Sequence, residues 1–320
     1  MNVFFAGTPD CAVPALREIA KNYRIAGILT SPAALAGRGK KYVESAVFRA
    51  AQELKAQNIL PQNTPVLTPD TLTAEFRSAV QALQPDILVC FAYGKIFGPK
   101  TLALFPQGAL NIHPSLLPRW RGPSPVPAAI AAGDTVTGVT VQYMAQEMDA
   151  GDIVIQHEVP IEPDDTAETL LNRCALLGSD LIVQALNRVQ DGTVQRTRQD
   201  SSQASYCRLL EKDDGRINWY ESAQAIGCKI RAHTPWPGAF AQWNNTKLAI
   251  LHAHPYKGST APEQPAVPGL VLGTDKMEGI LVQTGNGILA IQMLQRETKK
   301  AMQWKDFLNG VSGFTGEILQ

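Results

Sequence analysis

Short apolar runs alternate with amphipathic stretches through the first 190 residues. Residues 2–6 form an apolar run closed by Gly7-Thr8-Pro9-Asp10, and 12–22 follow with Val13, Leu16, Ile19 and Ala20 at helical spacing. Residues 24–29, 86–91, 109–113, 137–144 and 152–159 read as further strands. Residues 45–57 and 71–84 predict helices. A short helix over 125–132 tolerates Pro in its first turn and can close at Gly133. Residues 165–189 predict a long amphipathic helix, with Asp164 or Asp165 available to cap its start and Gly192 just past its end. Strands that alternate with helices imply an α/β domain with a mostly parallel sheet covered on both faces.

The texture changes after Gly192. Residues 193–205 (TVQRTRQDSSQAS) are polar with almost no apolar anchor, which reads as a linker. Beyond them, shorter strand candidates at 238–243, 247–254, 269–272, 279–284 and 287–293 are separated by Gly, Asn and Pro. One helix, 222–232, precedes them. The spacing predicts a small OB-like β-barrel or sandwich. The expected division is 1–190, a linker at 191–206, and 207–320. No internal repeat is evident.

The bulk numbers narrow the class. The chain has 320 residues, enough for two cores, with 45% hydrophobic and 18% charged residues. Formal net charge is zero, so contact with nucleic acid requires a local basic feature. Cys11, Cys90, Cys174, Cys207 and Cys228 show no metal-ligand spacing, as expected of reduced thiols. The start MNVFFAGTPD lacks the basic opening of a signal peptide, and no apolar run approaches membrane-spanning length. A cytoplasmic protein is expected, with monomer as the default. His252 and His254 alternate on a strand without a third ligand nearby, so no metal site is expected.

Chemistry concentrates in NIHPSLLPRWRGPSP, residues 111–125. Asn111 and His113 end a strand and point to the same side. Open α/β sheets bind ligands at the carboxyl ends of their strands. An amide there can donate to a developing oxyanion, and an imidazole can exchange a proton near neutral pH. The pair alone is equally compatible with a core or surface position. Asp149, in the Gly-flanked turn of MAQEMDAGDI, could reach a neighbouring strand end and favour a charged ring on His113. It could also be a plain turn residue. In Arg119-Trp120-Arg121, the arginines could grip a ligand or brace the strand exit. Trp236, between Pro235 and Pro237, reads as packing inward from a rigid turn.

Asn111-Ile-His113-Pro-Ser115-Leu-Leu-Pro118, with Arg121-Gly122 and later Met148-Asp149-Ala-Gly-Asp152, resembles the signature of the 10-formyltetrahydrofolate-dependent formyltransferases. The resemblance implies a modified Rossmann-like sheet and a catalytic set of Asn111, His113 and Asp149. In that scheme a substrate amine attacks the formyl carbon, and Asn111 and protonated His113 stabilise the tetrahedral oxyanion. Asp149 holds His113 charged and helps shuttle protons, and N10 of the folate leaves. It also implies a folate pocket lined by Phe91, Tyr93, Gly94, Ile96, Ser115, Leu116, Leu117 and Pro118. A flat heteroaromatic ring suits such an apolar slot, although Phe91, Ile96, Leu116 and Leu117 could equally be core.

The acceptor is less plainly written. ALAGRGKKY at 34–42 sets Arg38, Lys40 and Lys41 among glycines, as suits contacts with a phosphate backbone. The GRGKK stretch resembles the insertion loop of family members that act on methionyl initiator tRNA, and the second domain offers an RNA-binding surface. Arg196, Arg198 and Arg208 could border an RNA track. A nucleotide-sugar amine formyltransferase shares the signature but not the loop. A glycinamide ribonucleotide formyltransferase is a single domain. Gly7-Thr8-Pro9-Asp10 is not a GxGxxG fingerprint, which disfavours an NAD-linked oxidoreductase; family positions place this loop beside the acceptor. A non-catalytic RNA-binding protein would leave Asn111, His113 and Asp149 without purpose.

Overall fold

The computed structural model describes residues 1–36, 41–258 and 267–320. The chain forms two compact units. The first comprises Met1–Pro125, Val136–Pro160 and Leu171–Cys207; the second comprises Val126–Thr135, Ile161–Leu170 and Arg208–Gln320.

Up to Gln190 the chain runs β1 (Asn2–Gly7), α1 (Val13–Asn22), β2 (Arg24–Leu29), β3 (Ala34–Ala36), β4 (Lys41–Val43), α2 (Ala46–Ala56), β5 (Val66–Leu67) and α3 (Ala74–Ala82). It continues through β6 (Ile87–Phe91), α4 (Pro99–Leu102), β7 (Ala109–His113), α5 (Pro125–Ala131), β8 (Val136–Tyr143), β9 (Ile153–Pro160) and α6 (Ala167–Gln190). Seven strands form one sheet in the order β5-β2-β1-β6-β7-β8-β9. Pairing is parallel from β5 through β7 and antiparallel across β7, β8 and β9. β6 is buried along its whole length and β1 at all but its first residue. That is why they read as unbroken apolar runs, since helices cover both faces of a parallel sheet.

The register brings Gly7 level with Phe91, and Cys90 level with Asn111. The loops after β1, β6 and β7 therefore leave the same edge of the sheet, where α/β folds place their ligands. Thr8 ties that edge together. Its hydroxyl donates to the Tyr93 carbonyl at 3.2 Å and lies 3.1 Å from the Ser31 hydroxyl.

The helix starts differ from the sequence expectation. α3 begins at Ala74, where the Thr73 hydroxyl accepts from the Phe76 N–H. α6 is capped by Thr166, which accepts from the Thr169 N–H at 3.2 Å; Asp165 instead accepts from the Glu162 N–H at 2.7 Å. β3 and β4 pair as a small antiparallel hairpin in the stretch read as a basic loop.

The second unit contains α7 (Ala223–Ala232), β10 (Phe240–Trp243), β11 (Thr246–Pro255), β12 (Val271–Asp275), β13 (Gly279–Gln283), β14 (Ile288–Arg296), β15 (Met302–Gln303) and α8 (Trp304–Asn309). Its antiparallel sheet has the order β10-β11-β14-β13-β12, with β15 on β14. The pairing of β11 with β14 shifts register around His252. Trp243 meets Phe314 edge-on at 5.0 Å and Phe307 at 6.0 Å, against Ile226 and Ile230 of α7. Trp236 does not join this core. The turn that carries it is closed by Gly238 N–H to the His233 carbonyl and leaves the indole 51% exposed.

Candidate active site

His113 ends β7 and is 4% exposed. Its Nε2 lies 2.9 Å from the Trp120 carbonyl oxygen, and its Nδ1 lies 3.6 Å from Asp149 Oδ2. Asp149 stands in the turn between β8 and β9 with φ of 54°, a left-handed backbone that Asp tolerates better than most residues. Gly151 lets that turn press onto β8, since a Cβ there would sit 1.7 Å from the Tyr143 carbonyl.

Two donors hold the carboxylate. Gln142 Nε2 donates to Oδ1 at 3.0 Å, and the Gly122 N–H donates to Oδ2 at 2.8 Å. Gly122 has φ of 116°, and a Cβ there would lie 2.2 Å from the Cys207 carbonyl, so only glycine fits. Asn111 sits opposite Gln142 in the β7–β8 register, and His113 sits opposite Thr140. Asn111, Gln142 and His113 thus share one face of the sheet, with Asn111 half-buried.

The ring nitrogens have unequal partners. The 2.9 Å contact to a carbonyl needs a proton on Nε2. In a neutral ring this leaves the Nδ1 lone pair facing a carboxylate. Protonation would satisfy both contacts but would bury a charge. Burial is the larger effect and lowers the pKa of His113, against the opposing pull of Asp149 and the Trp120 carbonyl. The resemblance implies a His113 that is protonated during the reaction and held so by Asp149; burial works against that charge, and Asp149 and the Trp120 carbonyl work for it. Desolvation also raises the Cys90 thiol to about 12, with Asp149 a lesser contributor.

The other predicted residues separate into two layers. Phe91, Tyr93, Ser115 and Leu117 are buried. The Ser115 hydroxyl donates to the Arg119 carbonyl, and the Leu117 N–H donates to the Thr140 hydroxyl. Leu116 packs where β8 carries Gly138, whose missing Cβ would fall 2.3 Å from Leu116 Cδ2. Gly94, with φ of 83°, is open to its surroundings, and Ile96 is 81% exposed. An exposed apolar side chain beside accessible backbone fits a flat heteroaromatic group; the Tyr93 hydroxyl is also buried without a partner. Lys41 is exposed on β4, while Arg38 and Lys40 lie outside the described residues.

Arg121 is 1% exposed and faces inward. It donates to Gln199 Oε1 from Nε at 3.1 Å and from Nη2 at 2.8 Å, and Nη1 reaches Glu147 and the Tyr206 hydroxyl at 3.3 Å each. It therefore braces the interior of this unit. Sequence reading misses Gln142 and Gln199. Gln142 was detectable only by its register with Asn111, while Gln199 lies in a segment without apolar periodicity. Among the described residues, no group of three or more His, Cys, Asp and Glu could hold a metal ion, and no helix is long and apolar enough to cross a membrane.

A family model described as formyl transferase matches residues 1–186, and one described as formyl transferase, C-terminal domain, matches 209–312. A methionyl-tRNA formyltransferase of Treponema denticola is 50% identical over 315 residues, 98% of each chain. Among solved structures, a sugar 3N-formyl transferase, WlaRD, solved in the presence of dTDP and 5-N-formyl-THF, is similar with a TM-score of 0.65. The identity is 18%, covering 94% of this chain and 99% of that one. A methionyl-tRNA formyltransferase from Clostridium thermocellum is similar with a TM-score of 0.56 and 18% identity, covering 81% of this chain and 95% of that one.

Proposed function

The chain belongs to the methionyl-tRNA formyltransferase family of formyl transferases, and from that premise we propose its substrates and the work of its residues. It moves the formyl group of 10-formyltetrahydrofolate to the free α-amino group of methionyl initiator tRNA. The observation that carries the chemical part is the buried His113 between two acceptors, the Asp149 carboxylate and the Trp120 carbonyl. As the amine attacks, its proton passes by way of the Asp149 carboxylate to Nδ1, the one ring nitrogen with a free lone pair, and both acceptors stabilise the imidazolium that results. Asp149 also fixes the ring, and the proton is returned to the departing folate nitrogen. Asn111, on the same face, donates its amide to the oxyanion of the tetrahedral intermediate.

The folate donor supplies the activated formyl carbon. Gly94, Ile96 and Pro118 form the surface it lies against, and Phe91, Tyr93, Ser115, Leu116 and Leu117 form the layer that holds that surface in place. Arg38, Lys40 and Lys41 contact tRNA phosphates, as three cations spaced by glycine permit. The residues from 207 onward form a tRNA-binding domain. Its support is a corner where exposed Lys247, Arg296, Lys299 and Lys300 gather around the paired ends of β11 and β14. The protein works as a cytoplasmic monomer.

A competition assay tests the substrate. The protein receives 10-formyltetrahydrofolate with methionyl initiator tRNA, methionyl elongator tRNA and an amino-sugar nucleotide. Formylation of the initiator tRNA is expected. Preferential formylation of the sugar nucleotide would overturn the proposal.

A further inference from the structure

We propose that Gln199, from the polar stretch after α6, is a positioning residue that fixes the direction of the Asp149 carboxylate. The inference rests on the reading of Asp149 given above.

The polarity of the network begins at Arg121. A guanidinium can only donate, and it donates twice to Gln199 Oε1. That orients the Gln199 amide, so its Nε2 points toward three acceptors. These are Gln142 Oε1 at 3.1 Å and the carbonyl oxygens of Asp149 and Gly151 at 2.8 Å each. The first contact orients Gln142 in turn, leaving its Nε2 to donate to Asp149 Oδ1. Reversing either amide would set oxygen against oxygen and nitrogen against donor. Gln142 is 1% exposed and Gln199 is 7% exposed, so water does little to relieve such a reversal.

Gln199 therefore acts on Asp149 in two ways. It holds the backbone of the left-handed turn directly through the Asp149 and Gly151 carbonyls. It also sets the Gln142 amide that occupies Oδ1, so that Oδ2 remains toward His113 and the Gly122 N–H. Release of this hold lets the carboxylate rotate away from the ring without altering any surface that meets a substrate.

Two variants test the inference, Gln199→Met and Gln199→Glu. The second retains the acceptor for Arg121 and carries the test if the first does not fold. A misplacement of about 1 Å at a reacting group costs on the order of 10²-fold, so single-turnover formyl transfer is expected to slow by roughly 10- to 100-fold. KM for the folate donor and for charged tRNA should change little. The decisive measurement is a double-mutant cycle with Asp149→Asn. A residue acting through Asp149 adds almost no further loss once the carboxylate is gone. Near-normal rates for the folded Gln199 variants, or losses that multiply with Asp149→Asn, would overturn the inference. If Asp149→Asn is slow while the Gln199 variants are normal, only the role of Gln199 falls. A normal rate for Asp149→Asn removes both.

Discussion

Asp149→Asn changes one atom and should separate the chemistry of the site from its packing. The carboxylate accepts from Gln142 Nε2 at 3.0 Å and from the Gly122 N–H at 2.8 Å. Whichever way an asparagine amide turns, its NH2 group faces one of these donors. Gln142 cannot rotate to help, because Gln199 holds its oxygen. A buried donor without an acceptor costs about 1–3 kcal/mol of stability. The second consequence is electrostatic. Asp149 is the principal group offsetting the burial of a charged His113, so its loss leaves the imidazolium without its counter-charge. General acid–base assistance typically contributes about 10²–10⁴-fold, or roughly 3–5 kcal/mol of barrier. Single-turnover transfer from 10-formyltetrahydrofolate to methionyl-tRNA, followed by acid quench, reads this directly. Melting of the same preparation reads the packing term. A variant destabilised as expected but reacting within about threefold of wild type, far short of the usual acid–base contribution, would refute the reasoning.

The pKa of His113 is lowered from its ordinary 6.5 by burial. The proton-accepting form of the free enzyme therefore persists below pH 6.5, and the His113 limb of kcat/KM, read apart from the limb of the substrate's own α-amino group, should lie below that value; a His113 limb above 7 would contradict it. In the second unit, burial lowers His233 from 6.5 to about 4. The unfolded chain takes up a proton below pH 6.5 while the folded one does not, so stability is lost as pH falls from 6.5 toward 4. The loss is at most roughly 3 kcal/mol, at 1.36 kcal/mol per pKa unit. Urea titrations of wild type and His233→Gln at pH 7 and pH 4.5 should show a smaller pH dependence in the variant. Lys41→Ala should weaken binding of charged tRNA and reduce the slope of log K against log salt by about one unit or less, as loss of one phosphate contact predicts; an unchanged slope would remove Lys41 from the interface.

Residues with strong periodicity were legible in advance. The unbroken apolar runs of β1 and β6 announced central parallel strands, and the Gly-, Asn- and Pro-punctuated runs after residue 238 announced an antiparallel unit. Elements of two or three residues, such as β3, β4 and β5, are too short for periodicity to register. Trp236 was misplaced because a proline-flanked aromatic looks the same whether a turn directs it inward or outward. At the site, Asn111, His113 and Asp149 stood out by residue type and by their resemblance to a family signature. Gln142 and Gln199 are ordinary amides, and their importance appears only once register and hydrogen-bond polarity are known. The burial that opposes a charge on His113 was likewise illegible, because desolvation depends on what packs over the ring. Arg121, ambiguous between ligand and brace, is resolved by its burial.

The central claim is that a buried, neutral His113 accepts the proton of the attacking amine. The most direct measurement is the single-turnover rate of formyl transfer by His113→Ala at saturating 10-formyltetrahydrofolate and methionyl-tRNA, with circular dichroism to verify the fold. The account predicts a loss of about 100-fold or more, the lower bound for general acid–base assistance, with substrate affinities little changed. A folded variant that transfers the formyl group at nearly the wild-type rate would contradict it.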